Sequence, residues 1–124
     1  MKTLTEHQIN ECNQAITIEV DERDPSNGNA SHTYRMLVEP PEGNPSFVID
    51  LQFQHGPIKE VGTNGITHEA LLAVLADRLE GFQSGQYACP ENALALEHIR
   101  KATEALHSRT KKRVERGVEG THTV

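Results

Sequence analysis

A chain of 124 residues has room for one modest core, and 35% hydrophobic against 24% charged residues is a globular rather than a disordered balance. The net charge of -6 argues against general nucleic-acid binding, which favours a basic domain, so no DNA partner is expected. The two cysteines fit neither a disulfide framework nor a zinc motif, residues 1–7 lack the apolar run of a signal peptide, and no segment approaches membrane-spanning length. A reduced, soluble, cytoplasmic protein is expected. Aromatic residues are only 4% and Trp is absent, so the core rests on Leu, Val, Ile and Ala, a marginal arrangement for which oligomerisation is a common remedy.

The N-terminal half reads as strands. Ala15 to Val20 is short and β-branched, and the following residues 21–29 are dense in turn formers. His32 to Val38 is a second strand candidate, with Tyr34, Met36 and Val38 on one face. Pro40, Pro41, Gly43 and Pro45 then break the chain. Residues 47–54 show the clearest alternation, with Phe47, Ile49, Leu51 and Phe53 apolar. After Gly56-Pro57, residues 58–61 are expected as a short edge strand. Together these predict an antiparallel sheet over residues 15–61 with one buried face.

Two helices follow. Thr67 is a plausible N-cap with Glu69 in the first turn, and Leu71, Leu72, Leu75, Leu79 and Phe82 recur at helical spacing, predicting a helix over 67–83. Gly85 marks the connection. Pro90 suits the first turn of a second helix, and Gly117 suits its stop, giving a helix over 90–116 and a short tail. Leu96, Ile99, Thr103, Leu106, Thr110 and Arg113 share roughly one face of it. The expected fold is a single α+β domain over 1–124: an N-terminal antiparallel β-sheet followed by an antiparallel pair of α-helices, the Leu stripe packing on the sheet.

Chemistry concentrates at the end of the second helix. Between Arg100 and Arg116 stand Arg100, Lys101, Arg109, Lys111, Lys112, Arg113 and Arg116, against Glu104 and Glu115 only. Arg109, Arg113 and Arg116 follow at helical spacing, and guanidinium forks suit phosphate oxygens. Cations also belong at a helix C-terminus simply because the dipole favours them there. Asn92, in the first turn, can donate to and accept from a base edge or a ribose hydroxyl, or be an ordinary water-facing residue. Phe82 can stack on a base, or be the last residue of the core stripe.

Asn92 and Arg109 lie roughly 25 Å apart along one helix at about 1.5 Å per residue, too far to grip one small ligand. Antiparallel pairing of the second helix with a copy of itself, about an axis near Lys101-Ala102, would bring Asn92 of one chain beside Arg109 and Arg113 of the other. Weaker signals are a Gly62-Thr63-Asn64-Gly65 turn that could offer backbone N–H groups to an anion but lacks a phosphate-loop Lys-Ser/Thr, and seven histidines without compact metal-ligand spacing. Cys89 beside Pro90 reads as a capping-region residue, not a nucleophile. No catalytic acid–base pair stands out, and no metal site or cofactor is expected.

Three runs carry a resemblance. Gly56-Pro57-Ile58-Lys59-Glu60-Val61-Gly62-Thr63-Asn64-Gly65 is one. Asp77-Arg78-Leu79-Glu80-Gly81-Phe82-Gln83-Ser84-Gly85 with Ala88-Cys89-Pro90-Glu91-Asn92-Ala93 is the second, and Arg109-Thr110-Lys111-Lys112-Arg113 through Arg116-Gly117-Val118-Glu119-Gly120-Thr121-His122 the third. In this order, over about residues 53–122, they resemble the first Thoeris anti-defence protein family of phages and prophages. The resemblance implies a sponge rather than an enzyme: a protein of the host bacterial cytosol that binds glycocyclic ADP-ribose made by TIR-domain sensors without cleaving it, leaving the Thoeris effector inactive. It implies a homodimer, able to associate into a hexamer, with ligand at the dimer interface. The family's ligand contacts carry over onto Phe82, Asn92, Arg109 and Arg113. Some members also hold CBASS cyclic di- or trinucleotides. An enzyme that degrades a cyclic nucleotide messenger is the alternative.

Overall fold

The computed structural model of the chain describes residues 1–123. In chain order the elements are β1 (Lys2–Leu4), α1 (Glu11–Gln14), β2 (Ile16–Val20), β3 (Thr33–Val38), β4 (Phe47–Gln52), α2 (Ile58–Val61), α3 (His68–Gln83) and α4 (Pro90–Glu115). They form two compact units, Met1–Gly56 with Thr63–Gly65, and Pro57–Gly62 with Ile66–Val124. The α+β class holds: an N-terminal four-stranded sheet precedes the helices.

The first unit is an antiparallel meander in the order β1-β2-β3-β4. Its register explains the sequence alternation, because paired residues point to the same face. Val20, Tyr34 and Leu51 form one apolar row, Ile18, Met36 and Ile49 the next, and Ile16, Val38 and Phe47 the third. Val20 is 1% exposed and anchors the core, while Phe47 and Ile49 on the edge strand are 51% and 44% exposed. Burial of the expected apolar face is therefore graded, deepest at β2 and shallow at β4. The N-terminal strand β1 and the single turn α1 lie outside the expected strand set. Strand β1 has only three residues, too few for a period-2 pattern, and α1 is one turn capped by the Asn10 side chain.

The opposite face carries the row Glu19, Arg35, Asp50. Arg35 donates to Asp50 from Nε at 2.8 Å and from Nη2 at 3.3 Å, and this pair holds the Asp50 carboxyl below its ordinary range. Asp24 is likewise lowered, first by the Asn27 side-chain N–H, in the turn that joins β2 to β3. A carboxyl whose folded-state pKa is depressed stabilises the fold above its unfolded value and loses that contribution as pH falls through the folded value. The sheet is thus expected to weaken below about pH 4, and Asp50→Asn should flatten part of that acid limb in urea titrations followed at several pH values.

Residues 58–61 correct the expected edge strand: they form a single helical turn, α2, closed by Gly62 at φ 73. The local reason is Pro57, whose ring sets its own φ at -69 in the N-cap position, with Glu60 in the first turn. Periodicity over four residues does not separate a strand from one helical turn.

Helix α3 begins where expected. Thr67 Oγ1 accepts the N–H of Ala70, and Glu69 sits in the first turn. It pairs with α4 as a hairpin held on its flank by an Arg100–Glu80 ion pair. The Leu stripe is only partly covered: no residue of α3 is fully buried, Leu71, Leu72, Leu79 and Phe82 are part-buried, and Leu75 is 42% exposed. Helix α4 takes Pro90 at its start, with Cys89 as N-cap and its Sγ accepting the Asn92 N–H at 3.5 Å. Its covered positions are Asn92, Leu96, Ile99, Thr103, Leu106, Thr110 and Arg113, alternating steps of four and three along one stripe. At the far end Gly117 stands at φ 72; its N–H donates to the Val114 carbonyl at 3.0 Å and the Val118 N–H to the Arg113 carbonyl at 3.0 Å. This pair of bonds is a Schellman stop, and Gly117→Ala should cost about 1 kcal/mol in thermal unfolding because only glycine tolerates that backbone freely.

Candidate functional site

The four residues singled out lie at the two ends of α4. At the hairpin turn, Phe82 lies in the last turn of α3 with the Arg78 guanidinium 4.8 Å over its ring, and the Phe82 and Tyr87 rings meet at a right angle, 5.9 Å apart and at 85°. Asn92, one turn into α4, donates from Nδ2 to the Tyr87 carbonyl at 3.3 Å. Phe82 and Asn92 therefore converge on a common neighbour, Tyr87, which spacing alone did not single out. The turn itself is clasped by Gln83: its Oε1 accepts the Cys89 N–H at 3.0 Å and its Nε2 donates to the Cys89 carbonyl at 3.2 Å.

Arg109 and Arg113 stand one turn apart at the other end. Helix α4 has 26 residues against 16 in α3, so its last turns run past the end of the partner helix. Arg109 is exposed there, with Lys111 and Lys112 beside it. Arg113 is not: its side chain is 12% exposed and is spent on the C-terminal tail. Nε donates to Glu119 Oε2 at 3.1 Å, one terminal nitrogen to the Thr123 carbonyl at 2.6 Å, and the other to the Val118 and Thr121 carbonyls at 3.0 and 3.2 Å. The tail is tied further to α2, where the Lys59 N–H donates to the Gly120 carbonyl at 3.2 Å and His122 lies 3.6 Å from Glu60. The shared face expected for the arginines thus divides by use, Arg109 open to solvent and Arg113 anchoring the tail. The sequence signal that could have shown this is Glu119, two residues past the Gly117 stop and therefore turned back on the helix.

The Gly62-Thr63-Asn64-Gly65 turn, considered as an anion loop, uses its polar groups internally. The Asn64 N–H donates to Gln54 Oε1 at 2.8 Å, its side chain exchanges hydrogen bonds with the His55 backbone at 3.0 and 2.7 Å, and its carbonyl accepts from Gln52 at 2.8 Å. Of the histidines, His32 stacks on His55 at 4.9 Å and lies 3.1 Å from Asp24. Among the described residues no group of three or more His, Cys, Asp or Glu could hold a metal ion. No helix among them is long and apolar enough to cross a membrane.

A four-stranded meander followed by a long helical hairpin, with an aromatic–amide cluster at the hairpin turn and guanidinium groups at the free end of α4, defines an α+β hairpin protein. Comparison with known proteins narrows the class. The family described as Acb2/Tad1, hairpin domain, matches residues 48–111, and the chain belongs to that family. A curated relative, Thoeris anti-defense 1 of Bacillus phage SBSphiJ7, is 44% identical over 72 residues, 58% of this chain and 51% of the relative. The chain therefore spans about half the length of the curated relative it matches. Phe82, Asn92 and Arg109 fall inside the family match, and Arg113 falls two residues beyond it.

Proposed function

We propose that this protein is a phage anti-defence sponge: it binds glycocyclic ADP-ribose, the messenger of TIR-domain sensors, and holds it without cleavage, so that Thoeris immunity is not triggered. The observation that carries the reading is membership of the Acb2/Tad1 hairpin family together with the guanidinium pair at the end of α4. Similarity to a relative named Thoeris anti-defense 1 supports the biological setting.

The chemistry is that of capture. A cyclic ADP-ribose offers a pyrophosphate for Arg109, and for Arg113 once it gives up contacts to the tail, hydroxyls for Asn92 and an adenine face for Phe82. Each charge-assisted hydrogen bond contributes about 1.5–3 kcal/mol and a base–aromatic stack about 1–3 kcal/mol. Three or four such contacts, less the cost of association, reach the nanomolar range of about -12 kcal/mol that stoichiometric sequestration needs. Asn92 and the arginines sit at opposite ends of α4, so the pocket is composite. In the proposed homodimer two copies of α4 run antiparallel about an axis near Lys101-Ala102, and each end joins Phe82 and Asn92 of one copy to Arg109 and Arg113 of the other. Assembly into hexamers, and capture of CBASS cyclic di- or trinucleotides by the same protein, extend this proposal. The setting is the cytoplasm of the infected bacterium.

Calorimetric titration with glycocyclic ADP-ribose, then heat denaturation and chromatography of the supernatant, tests it. Nanomolar binding near one ligand per chain, with the ligand recovered intact, is expected. Recovery of a cleaved product would replace the sponge with an enzyme that degrades the messenger. Absence of heat would remove the Thoeris ligand altogether. Sedimentation of the free protein as a monomer at the titration concentration would remove the composite pocket.

A further inference from the structure

We propose that Tyr87 is a second aromatic contact for the nucleobase, forming with Phe82 a right-angled corner at the hairpin turn. The inference rests on the nucleotide-binding reading above and adds a residue to it. Two rings at 5.9 Å and 85° make two walls of a slot, one presenting its face where the other presents its edge. One face of Phe82 already carries the Arg78 guanidinium at 4.8 Å, so a base that stacks on Phe82 takes the other face or displaces that cation. Tyr87 is 66% exposed, so its right-angled contact with Phe82 leaves most of the residue open to a ligand. Its backbone is nonetheless fixed from both sides. Asn92 holds the Tyr87 carbonyl, Gln83 clasps Cys89 in both directions, and the Ala88 and Gly85 N–H groups donate to the Gly85 and Phe82 carbonyls at 3.2 Å each. An exposed aromatic on a pinned turn is preorganised for a contact that folding alone does not use, which reduces the ordering cost of binding. The same hydrogen bond makes Asn92 a positioning residue for Tyr87, besides any contact of its own.

The absence of Trp makes the test direct. The chain has two tyrosines, Tyr34 in the sheet and Tyr87, so the Tyr34→Phe protein has Tyr87 as its single strong emitter. Glycocyclic ADP-ribose is the probe. Saturable change of Tyr87 emission in the Tyr34→Phe protein, with a midpoint matching the calorimetric Kd, is expected. Tyr87→Ala should weaken binding by about 5- to 150-fold, the range of one base–aromatic stack, while Tyr87→Phe, which keeps the ring face, should stay within about threefold of the parent. A melting temperature equal to the parent's is expected for Tyr87→Phe, which keeps the ring contact with Phe82, and only a small drop for Tyr87→Ala, which loses it from an exposed position. Parent-like affinity of Tyr87→Ala, in a parent protein that binds the probe, overturns the role of Tyr87 and leaves the sponge standing. A parent protein that binds no probe overturns both.

Discussion

Replacing Arg109 and Arg113 together by Ala is expected to weaken nucleotide capture by about 3–6 kcal/mol, the loss of two charge-assisted contacts to phosphate. At about 1.4 kcal/mol per decade this is a hundredfold to ten-thousandfold increase in Kd, enough to abolish sequestration at cellular concentrations. The single variants should separate two roles. Arg109 is exposed and makes no hydrogen bond or ion pair through its side chain among the described residues, so Arg109→Ala should lower affinity while leaving melting temperature unchanged. Arg113 is the anchor of the tail through Glu119 and three carbonyls, so Arg113→Ala should also speed amide exchange over residues 118–123. In the proposed complex the ligand phosphate and Glu119 would compete for the one Arg113 guanidinium. Glu119→Gln, which keeps the shape and removes the charge, is therefore expected to tighten binding several-fold and to reduce its salt dependence little. Weaker binding by Glu119→Gln would mean that the tail supports the bound state instead of competing with it. Full affinity in the double variant would place the ligand elsewhere on the chain.

The second large effect concerns folding. A Cβ placed on Gly65 would lie 2.4 Å from the carbonyl carbon of Phe53 and 2.6 Å from the Gln54 nitrogen, both backbone atoms that cannot swing aside. Gly65→Ala is thus expected to cost about 3 kcal/mol or more, at the upper end of overpacking changes. The neighbouring Asn64 hydrogen bonds to Gln52, Gln54 and His55 hold this approach closed, so the strain has no easy outlet. Urea unfolding followed by far-UV circular dichroism measures it. A midpoint equal to the parent's would show that the chain at Gly65 does not press on the Phe53–Gln54 backbone just after β4. Asn64→Ala, which keeps the space and removes the side-chain bonds, should cost less, about 1–3 kcal/mol.

Much of the architecture was legible in local chemistry. Caps and stops act within a few residues, so Thr67, Pro90 and Gly117 marked their helix ends directly in the sequence. Alternation from Phe47 to Leu51 marked β4 because a strand's period is two, whatever it pairs with. The same rules were silent where elements are short. Three residues of β1 and four of α1 and α2 carry no period, and Pro57 rather than β-branching decided that residues 58–61 turn as a helix.

Charge pattern located the basic end of α4, and the resemblance of its motifs pointed to the family that the hairpin match then established. The use of each side chain was a tertiary matter. Nothing in the spacing of Phe82, Tyr87 and Asn92 requires them to meet; the Gln83 clasp folds the turn so that they do. Nor does the run from Arg109 to Arg116 say which guanidinium is free. The Gly117 stop reverses the chain and delivers Glu119 to Arg113, leaving Arg109 open. Residue type and periodicity therefore determined what the elements are and which ions they carry, because those properties are local. Which ion is free, which is already paired and which rings share a corner depended on how the chain folds back on itself just after each helix, through contacts that residue type and period do not fix, and only the folded chain decided them.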